Sequence, residues 1–268
     1  MTQITSSLLI TTYNWPAALR LVLLSVQRQV VLPTEVLIAD DGSKEETSIL
    51  IESFQKQFPV PLIHVWHKDD GFKLAEIRNK AISKAKGTYI IQIDGDIILH
   101  PHFVKDHLHH AKPNTFLTGS RVLLNETLTL SAQKKLQTTF KWFYTGITNR
   151  LNAMYIPFLS KFFLKPTLNI PLAVNQVRGC NMSFWKKDLE LVNGYDEEMI
   201  GWGREDSEIS VRLVHNQIRK ERIKFGAIQY HQYHQIHSRE GLNKNDQILE
   251  QTIQTKKKKC DLGLSNHV

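Results

Sequence analysis

Over the first 125 residues, short apolar runs alternate with longer stretches in which apolar residues return every three or four positions. Residues 8–12, 35–39, 62–66 and 89–93 are the short runs, rich in the branched side chains that suit a pleated sheet. Between them, residues 15–29, 45–58 and 73–85 have helical character, with Leu19, Val22, Leu23 and Val26 spaced along the first and Leu74, Ile77, Ala81 and Ala85 along the third. Such alternation predicts an α/β fold, a mostly parallel sheet flanked by helices. Two strands run into acidic clusters, Asp40-Asp41-Gly42-Ser43 and Asp94-Gly95-Asp96. In open parallel sheets the carboxyl edge is where ligands bind.

After Leu124 the rhythm changes. Leu136, Phe140, Phe143, Ile147, Leu151 and Met154 recur at steps of three or four, which predicts one amphipathic helix over residues 131–156, ended by Pro157. A proline-punctuated aromatic stretch, residues 158–171, leads to a last block over residues 175–239, where Gly179, Gly194, Gly201 and Gly203 mark turns. From Asn243 the chain reads as one surface helix and a mobile lysine-rich end.

Composition narrows the function classes. With 268 residues, 41% of them hydrophobic, the chain can bury a sizeable core, which excludes global disorder. The net charge of +8 is unevenly spread: residues 121–172 hold seven Lys/Arg against one acid, and Lys256 to Lys259 add four more positive charges. The remainder is slightly acidic, which disfavours a nucleic-acid coat. Cys180 and Cys260 are the two cysteines and show no metal-binding spacing, which fits a reducing, cytoplasmic setting. Neither a signal peptide nor an apolar run long enough to span a bilayer is evident, so a soluble or peripheral protein is expected.

Several clusters carry candidate chemistry. Asp94 and Asp96 follow an extended run, so both carboxylates should project to one side and can share Mg²⁺ or Mn²⁺; an imidazole ligand would favour Mn²⁺. The sequence Tyr230-His231-Gln232-Tyr233-His234-Gln235-Ile236-His237 offers three candidate imidazoles. His107, His109 and His110 read as an exposed helix face. In Gly201-Trp202-Gly203-Arg204-Glu205-Asp206, an indole between glycines offers a flat surface for a sugar, and an adjacent acid can take a hydroxyl proton. The same acids can instead be the first-turn carboxylates of a helix. Tyr13 and the acids of the second strand end can frame a nucleobase or cap the helices that follow.

From Ser7 to about Arg239 the chain resembles inverting family 2 glycosyltransferases of the GT-A fold. The resemblance rests on TTYN, ADDGS, FKLAEIRNKAISKAKG and YIIQIDGD, then on RGCNMSFWKKDLELVNGYDEEMIGWGREDSEISVRL and YHQYH. The later part looks like the galactosyltransferase-type C-terminal segment also found in bacterial chondroitin-polymerase domains. The resemblance implies a Rossmann-like sheet with a nucleotide-sugar (donor) half over residues 1–125 and a helical insert over 126–172. An acceptor-binding and catalytic half over 173–242 and a basic tail over 243–268 complete it. It implies donor roles for Thr11, Tyr13, Asp41, Arg78, Asp94 and Asp96, with Asp96 and His231 on the metal. It implies Asp206 as catalytic base and Trp202 and Glu205 at the sugar and acceptor subsites. His234 and His237 are alternative metal ligands, the latter because His237-Ser238-Arg239 resembles the metal-site H-S-R of animal β-1,4-galactosyltransferases.

The implied reaction moves a hexose or N-acetylhexosamine from a UDP-sugar to a glycan acceptor, including a lipid-linked one, with Mn²⁺ or Mg²⁺, in surface polysaccharide or lipopolysaccharide synthesis. The rival readings are a phosphohydrolase, for which Ile98 replaces the threonine of D-x-D-x-T, a nucleotidyltransferase, whose glycine-rich basic loop is missing from Thr11-Thr12-Tyr13-Asn14-Trp15, and a binding module of the same fold without catalysis. The basic insert, with Trp142 and Tyr144 beside its apolar stripe, suits either an anionic membrane surface at the inner face of the cytoplasmic membrane or packing on the core.

Overall fold

The computed structural model describes residues 4–175, 177–235 and 241–268. In chain order its first elements are β1 (Ser6–Thr12), α1 (Pro16–Gln27), β2 (Glu35–Asp40), α2 (Glu45–Gln55), β3 (Leu62–Trp66), α3 (Leu74–Lys84) and β4 (Tyr89–Asp94). They follow the sequence pattern closely. β5 (Ile97–Leu99), α4 (Phe103–His110), β6 (Thr115–Thr118), β7 (Val122–Leu123), α5 (Glu126–Lys135), α6 (Pro157–Phe163) and α7 (Ile170–Val174) come next. The chain ends with β8 (Met182–Trp185), α8 (Lys186–Val192), α9 (Glu205–His215), β9 (Arg219–Arg222), β10 (Gln229–His231) and α10 (Leu242–Gln254).

A seven-stranded sheet has the order β3-β2-β1-β4-β8-β6-β9. Its first four strands are parallel, and β8 runs antiparallel to β4 and β6. Both faces are covered, and the alternation of side chains sorts each strand between them. Leu8 and Ile10 pack with Val22 and Val26 of α1 and Ile51 of α2, whereas Leu9 packs with Ile77 of α3 and Leu213 of α9. A smaller sheet, β5-β10-β7, closes over a third cluster that includes Ile98, Val122 and Tyr230. None of the described helices is long and apolar enough to cross a membrane.

Three sequence expectations are corrected. The single helix over residues 131–156 does not form: α5 stops at Lys135, Leu136 turns left-handed at φ 52°, and Pro157 opens α6 instead of ending a helix. The apolar spacing there serves separate insertions, because Phe140 and Ile147 enter the third cluster while Leu136, Phe143 and Leu151 stay exposed. The histidines of α4 do not form one exposed face: His109 is exposed, but the other two are buried. His107 is buried, sharing hydrogen bonds with Ser183 Oγ (2.8 Å) and Asn181 Oδ1 (3.0 Å), and His110 is buried against Ser160 Oγ (3.1 Å). The lysine-rich end folds back on the body: Cys260 and Leu264 are buried, and the Leu264 N–H donates to the Asn193 carbonyl at 2.8 Å. Both cysteines are free and buried, and burial pushes both thiols up to about 12.

Candidate active site

The carboxyl edge of β1, β2 and β4 forms the floor of a polar crevice. Register brings Thr11 beside Asp94 on adjacent strands, and Thr11 Oγ1 donates to Asp94 Oδ1 at 2.9 Å. Arg78 projects from α3 toward the same carboxylate, Nη2 lying 3.4 Å from Asp94 Oδ1. Its Nη1 donates to Asp206 Oδ1 at 3.0 Å and lies 3.6 Å from Glu205 Oε1. The guanidinium is only 1% exposed and sits over the Tyr195 ring, 5.0 Å from its centroid. One buried cation thus answers three carboxylates that lie far apart in the sequence.

Asp206 reaches this point because α9 begins with Arg204 in the left-handed region at φ 80°, after Gly203 at φ 98°. Its second oxygen accepts the Gly179 N–H at 2.6 Å. A Cβ at Gly179 would lie 2.5 Å from Asp206 Oδ1 and 2.6 Å from Arg78 Nη2, so any larger residue would displace the pair. Burial raises the Asp94 carboxyl to about 6 against the pull of Arg78, with Asp96 and Asp206 adding to the rise. Burial, then Asp206, raises Glu205 to about 7, and Glu205 Oε2 is buried without a hydrogen-bond partner.

Asp96 faces different partners from Asp94. The antiparallel pairing of β5 with β10 sets His231 opposite Ile97, one residue beyond Asp96. His231 Nε2 and His234 Nε2 each lie 3.3 Å from Asp96 Oδ2. The three potential ligand atoms lie within 4.8 Å of one another. His234 Nδ1 is 2.7 Å from the Gln235 carbonyl, which leaves Nε2 turned toward the carboxylate. Asp96 Oδ1 is buried and has no hydrogen-bond partner. Burial works against the Asp96 charge, yet His231 and His234 hold its carboxyl below the ordinary value. Burial lowers His231 despite Asp96, while the hydrogen bond to Asp96 raises His234. One carboxylate with an unanswered oxygen and two imidazoles suit a divalent cation of the Mn²⁺ type. His237 lies outside the described residues.

At the other end of the crevice Tyr13 is 47% exposed, and its hydroxyl donates to Asp69 Oδ2 at 2.9 Å. Asp41 is buried and fully engaged: Oδ1 is 2.7 Å from His67 Nε2, and Oδ2 accepts the Lys73 N–H at 3.1 Å. Trp202 is 42% exposed beside the α9 start. Sequence reasoning missed His67 and Asp69, which lie near the end of β3 without a motif around them, and it kept His234 only as an alternative to His231. Both histidines reach Asp96, which an i, i+3 spacing on a loop does not reveal.

The model of the glycosyl transferase family 2 matches residues 7–166, and that of the N-terminal domain of galactosyltransferase matches residues 162–238. The chain is 28% identical to the chondroitin synthase of Escherichia coli over 238 residues, covering 84% of this chain and 34% of that protein. It is 26% identical to the hyaluronan synthase of Pasteurella multocida over 235 residues, covering 77% of this chain and 22% of that one. It therefore spans about a third or less of the length of these curated relatives. Among solved structures, S. aureus TarS 1-349 in complex with UDP-GlcNAc superposes with a TM-score of 0.65 at 16% identity, over 98% of this chain and 69% of the other. The mannosyltransferase PcManGT of Pyrobaculum calidifontis, in complex with GDP-Man and Mn²⁺, gives 0.58 at 14% identity, over 87% and 58%. These superpositions establish a GT-A fold, and with a family model matching more than half of its length, the chain belongs to glycosyl transferase family 2.

Proposed function

We propose that the chain is a metal-dependent inverting glycosyltransferase that moves a hexose or N-acetylhexosamine from a UDP-sugar to a glycan acceptor. The observation that carries this reading is the meeting of Asp94 and Asp206 on buried Arg78, beside the Asp96, His231 and His234 group. Asp96 with His231 and His234 would hold Mn²⁺ or Mg²⁺, whose charge offsets that of the departing nucleoside diphosphate. Tyr13 offers an exposed ring for the base, and Asp41 supports the crevice wall behind it. Thr11 and Arg78 fix Asp94 at the donor end.

Asp206 takes the proton of the acceptor hydroxyl as its oxygen bonds to the anomeric carbon and the carbon–oxygen bond to the diphosphate breaks, so the configuration inverts. Arg78 and the Gly179 N–H each occupy one lone pair of the Asp206 carboxylate and so aim it. Glu205 and the exposed Trp202 shape the acceptor side. In this reading residues 1–125 form the donor half, 126–172 the insert, 173–242 the acceptor half and 243–268 the tail. Basic and aromatic residues of the insert place the enzyme on an anionic membrane surface, where a surface-glycan acceptor is available.

Release of UDP from UDP-sugars tests the proposal. Turnover should require Mn²⁺ or Mg²⁺, cease with a chelator, and return when the cation is restored. Turnover that persists unchanged in the chelated enzyme would remove the metal from the account.

A further inference from the structure

Three arginines outside the carboxylate and histidine groups meet at the same edge of the large sheet. β6 runs parallel to β9 and antiparallel to β8, which sets Thr118 beside both Arg222 and Met182. Arg121 therefore follows the end of β6, Arg222 closes β9, and Arg178 precedes the turn into β8. The loops are tied together. Gly119 N–H donates to the Asn181 carbonyl and Asn181 N–H to the Arg178 carbonyl, both at 3.0 Å. Asn181 Nδ2 donates to the Ser120 carbonyl at 3.0 Å, and Arg222 Nη2 to Ser120 Oγ at 3.3 Å. Asn149 and Asn152 side chains donate to the Arg121 carbonyl at 2.6 and 3.1 Å.

Among the described residues, arginine ion pairs involve Arg78, Arg204 and Arg212 but not these three. Nε of Arg121 and Nε of Arg222 are buried without a hydrogen-bond partner. Burial, then the neighbouring arginine, pushes the Arg178 and Arg222 guanidiniums below their ordinary value. Such a fork-bearing cluster suits an oxyanion, which a guanidinium holds through two parallel hydrogen bonds.

The three differ in position. Arg121 acts on Asp96, His231 and His234, and Arg178 acts on His231, so both border the metal side. Arg178 immediately precedes Gly179, whose N–H holds Asp206, and among the described residues Arg178 is the charged group that acts on Arg222. We propose that Arg178 and Arg222, with Arg121 completing the row, form a subsite for a phosphate or carboxylate carried by the acceptor. This rests on the glycosyl-transfer reading above, and it makes the acceptor an acidic chain.

The test titrates the chain with inorganic phosphate and, separately, acetate, following the arginine Nε–H signals by NMR with and without saturating UDP and Mg²⁺. Phosphate or acetate should shift the Arg178 and Arg222 signals saturably even when UDP is bound, and the stronger of the two identifies the anion. R178Q and R222Q should each lose about tenfold in anion affinity, the worth of one charged hydrogen bond. UDP affinity should stay within about twofold, as for separated sites. Arg178 is exposed, so R178Q reads the subsite even where R222Q harms folding, and R222K should retain more affinity than R222Q. Loss of the anion response on UDP binding would assign the arginines to the donor diphosphate and overturn the proposal. Equal anion affinity in both glutamine variants, or no response to either anion, would also overturn it. Failure to bind UDP counts against the glycosyl-transfer reading instead, and the variants without UDP still decide the anion site.

Discussion

Asp206 and Glu205 are neighbours in sequence but do opposite things in the crevice. Asp206 is fixed at both oxygens, by Arg78 and by the Gly179 N–H, whereas Glu205 keeps one buried oxygen unpaired and titrates near neutrality, at about 7. Asp206→Asn should lower transfer about 10²–10⁴-fold and leave UDP binding intact, as read by steady-state kinetics against UDP titration. Undiminished turnover would remove Asp206 from the proton step. The sign of the Glu205 effect follows from its raised value. The folded chain holds this proton more tightly than the unfolded chain, so the associated stability is full below pH 4.5 and is lost as pH rises through about 7. Melting curves should accordingly show a smaller fall in Tm from about pH 5 to pH 8 for Glu205→Gln than for the parent chain. The acids were legible in the sequence because each sits in a motif after a recognisable strand or before a helix. Their shared dependence on Arg78 was not, since nothing in the α3 sequence shows that this arginine is buried toward the acids of two distant segments.

At the scale of elements, the first four strands and three helices were readable because their apolar runs are long and mostly buried: every residue of β1 and β2 is buried, and β3 at the edge is only partly so. The insert misled because periodic apolar residues do not need a helix when a chain can lower them one at a time into a third core. Asn125 caps α5 through Leu128 N–H at 2.9 Å, but Gly146 at φ 97° and the Leu124–Ile147 bridge require an irregular return. The pairing of β5 with β10, which brings His231 and His234 to Asp96, was equally hidden, because such short strands carry no periodic signature. Replacing either histidine with alanine should weaken Mn²⁺ binding by more than the roughly 10–100-fold typical of outer-shell changes, measured by calorimetry. Retained affinity in the double variant would displace the metal from this group. Histidines in and just before α4 carry a separate pH effect. Burial holds His107 neutral down to about 3, with His100 and His110 down to about 4, so stability present above pH 6.5 is lost as pH falls toward those values. His107→Gln should reduce that acid sensitivity in a series of urea unfolding curves, and an unchanged pH slope would contradict the buried neutral ring.

Across the whole molecule, charge and apolar surface are segregated. The acids of the crevice lie on the carboxyl edge of the sheet, while the insert exposes Leu151 at 78%, Phe158 at 68% and Phe162 at 66%, with Lys161 and Lys165 beside them. Sedimentation with anionic vesicles should fall as salt rises, and Phe158→Ser with Phe162→Ser should weaken it further; salt-independent adsorption would contradict the electrostatic part. The C-terminal segment does the reverse of what its lysines suggest, since it inserts Leu264 beneath Asn193. Leu264→Ala should therefore cost about 2–5 kcal/mol of unfolding free energy, whereas a mobile end would show no change. The central claim, a single displacement with Asp206 as base and the cation at Asp96, is tested most directly by the anomeric configuration of the transferred sugar in the first product formed from an α-linked UDP-sugar. Proton NMR should show a β-linked product with the large anomeric coupling of a gluco- or galacto-configured ring, and an α-linked product would contradict the account.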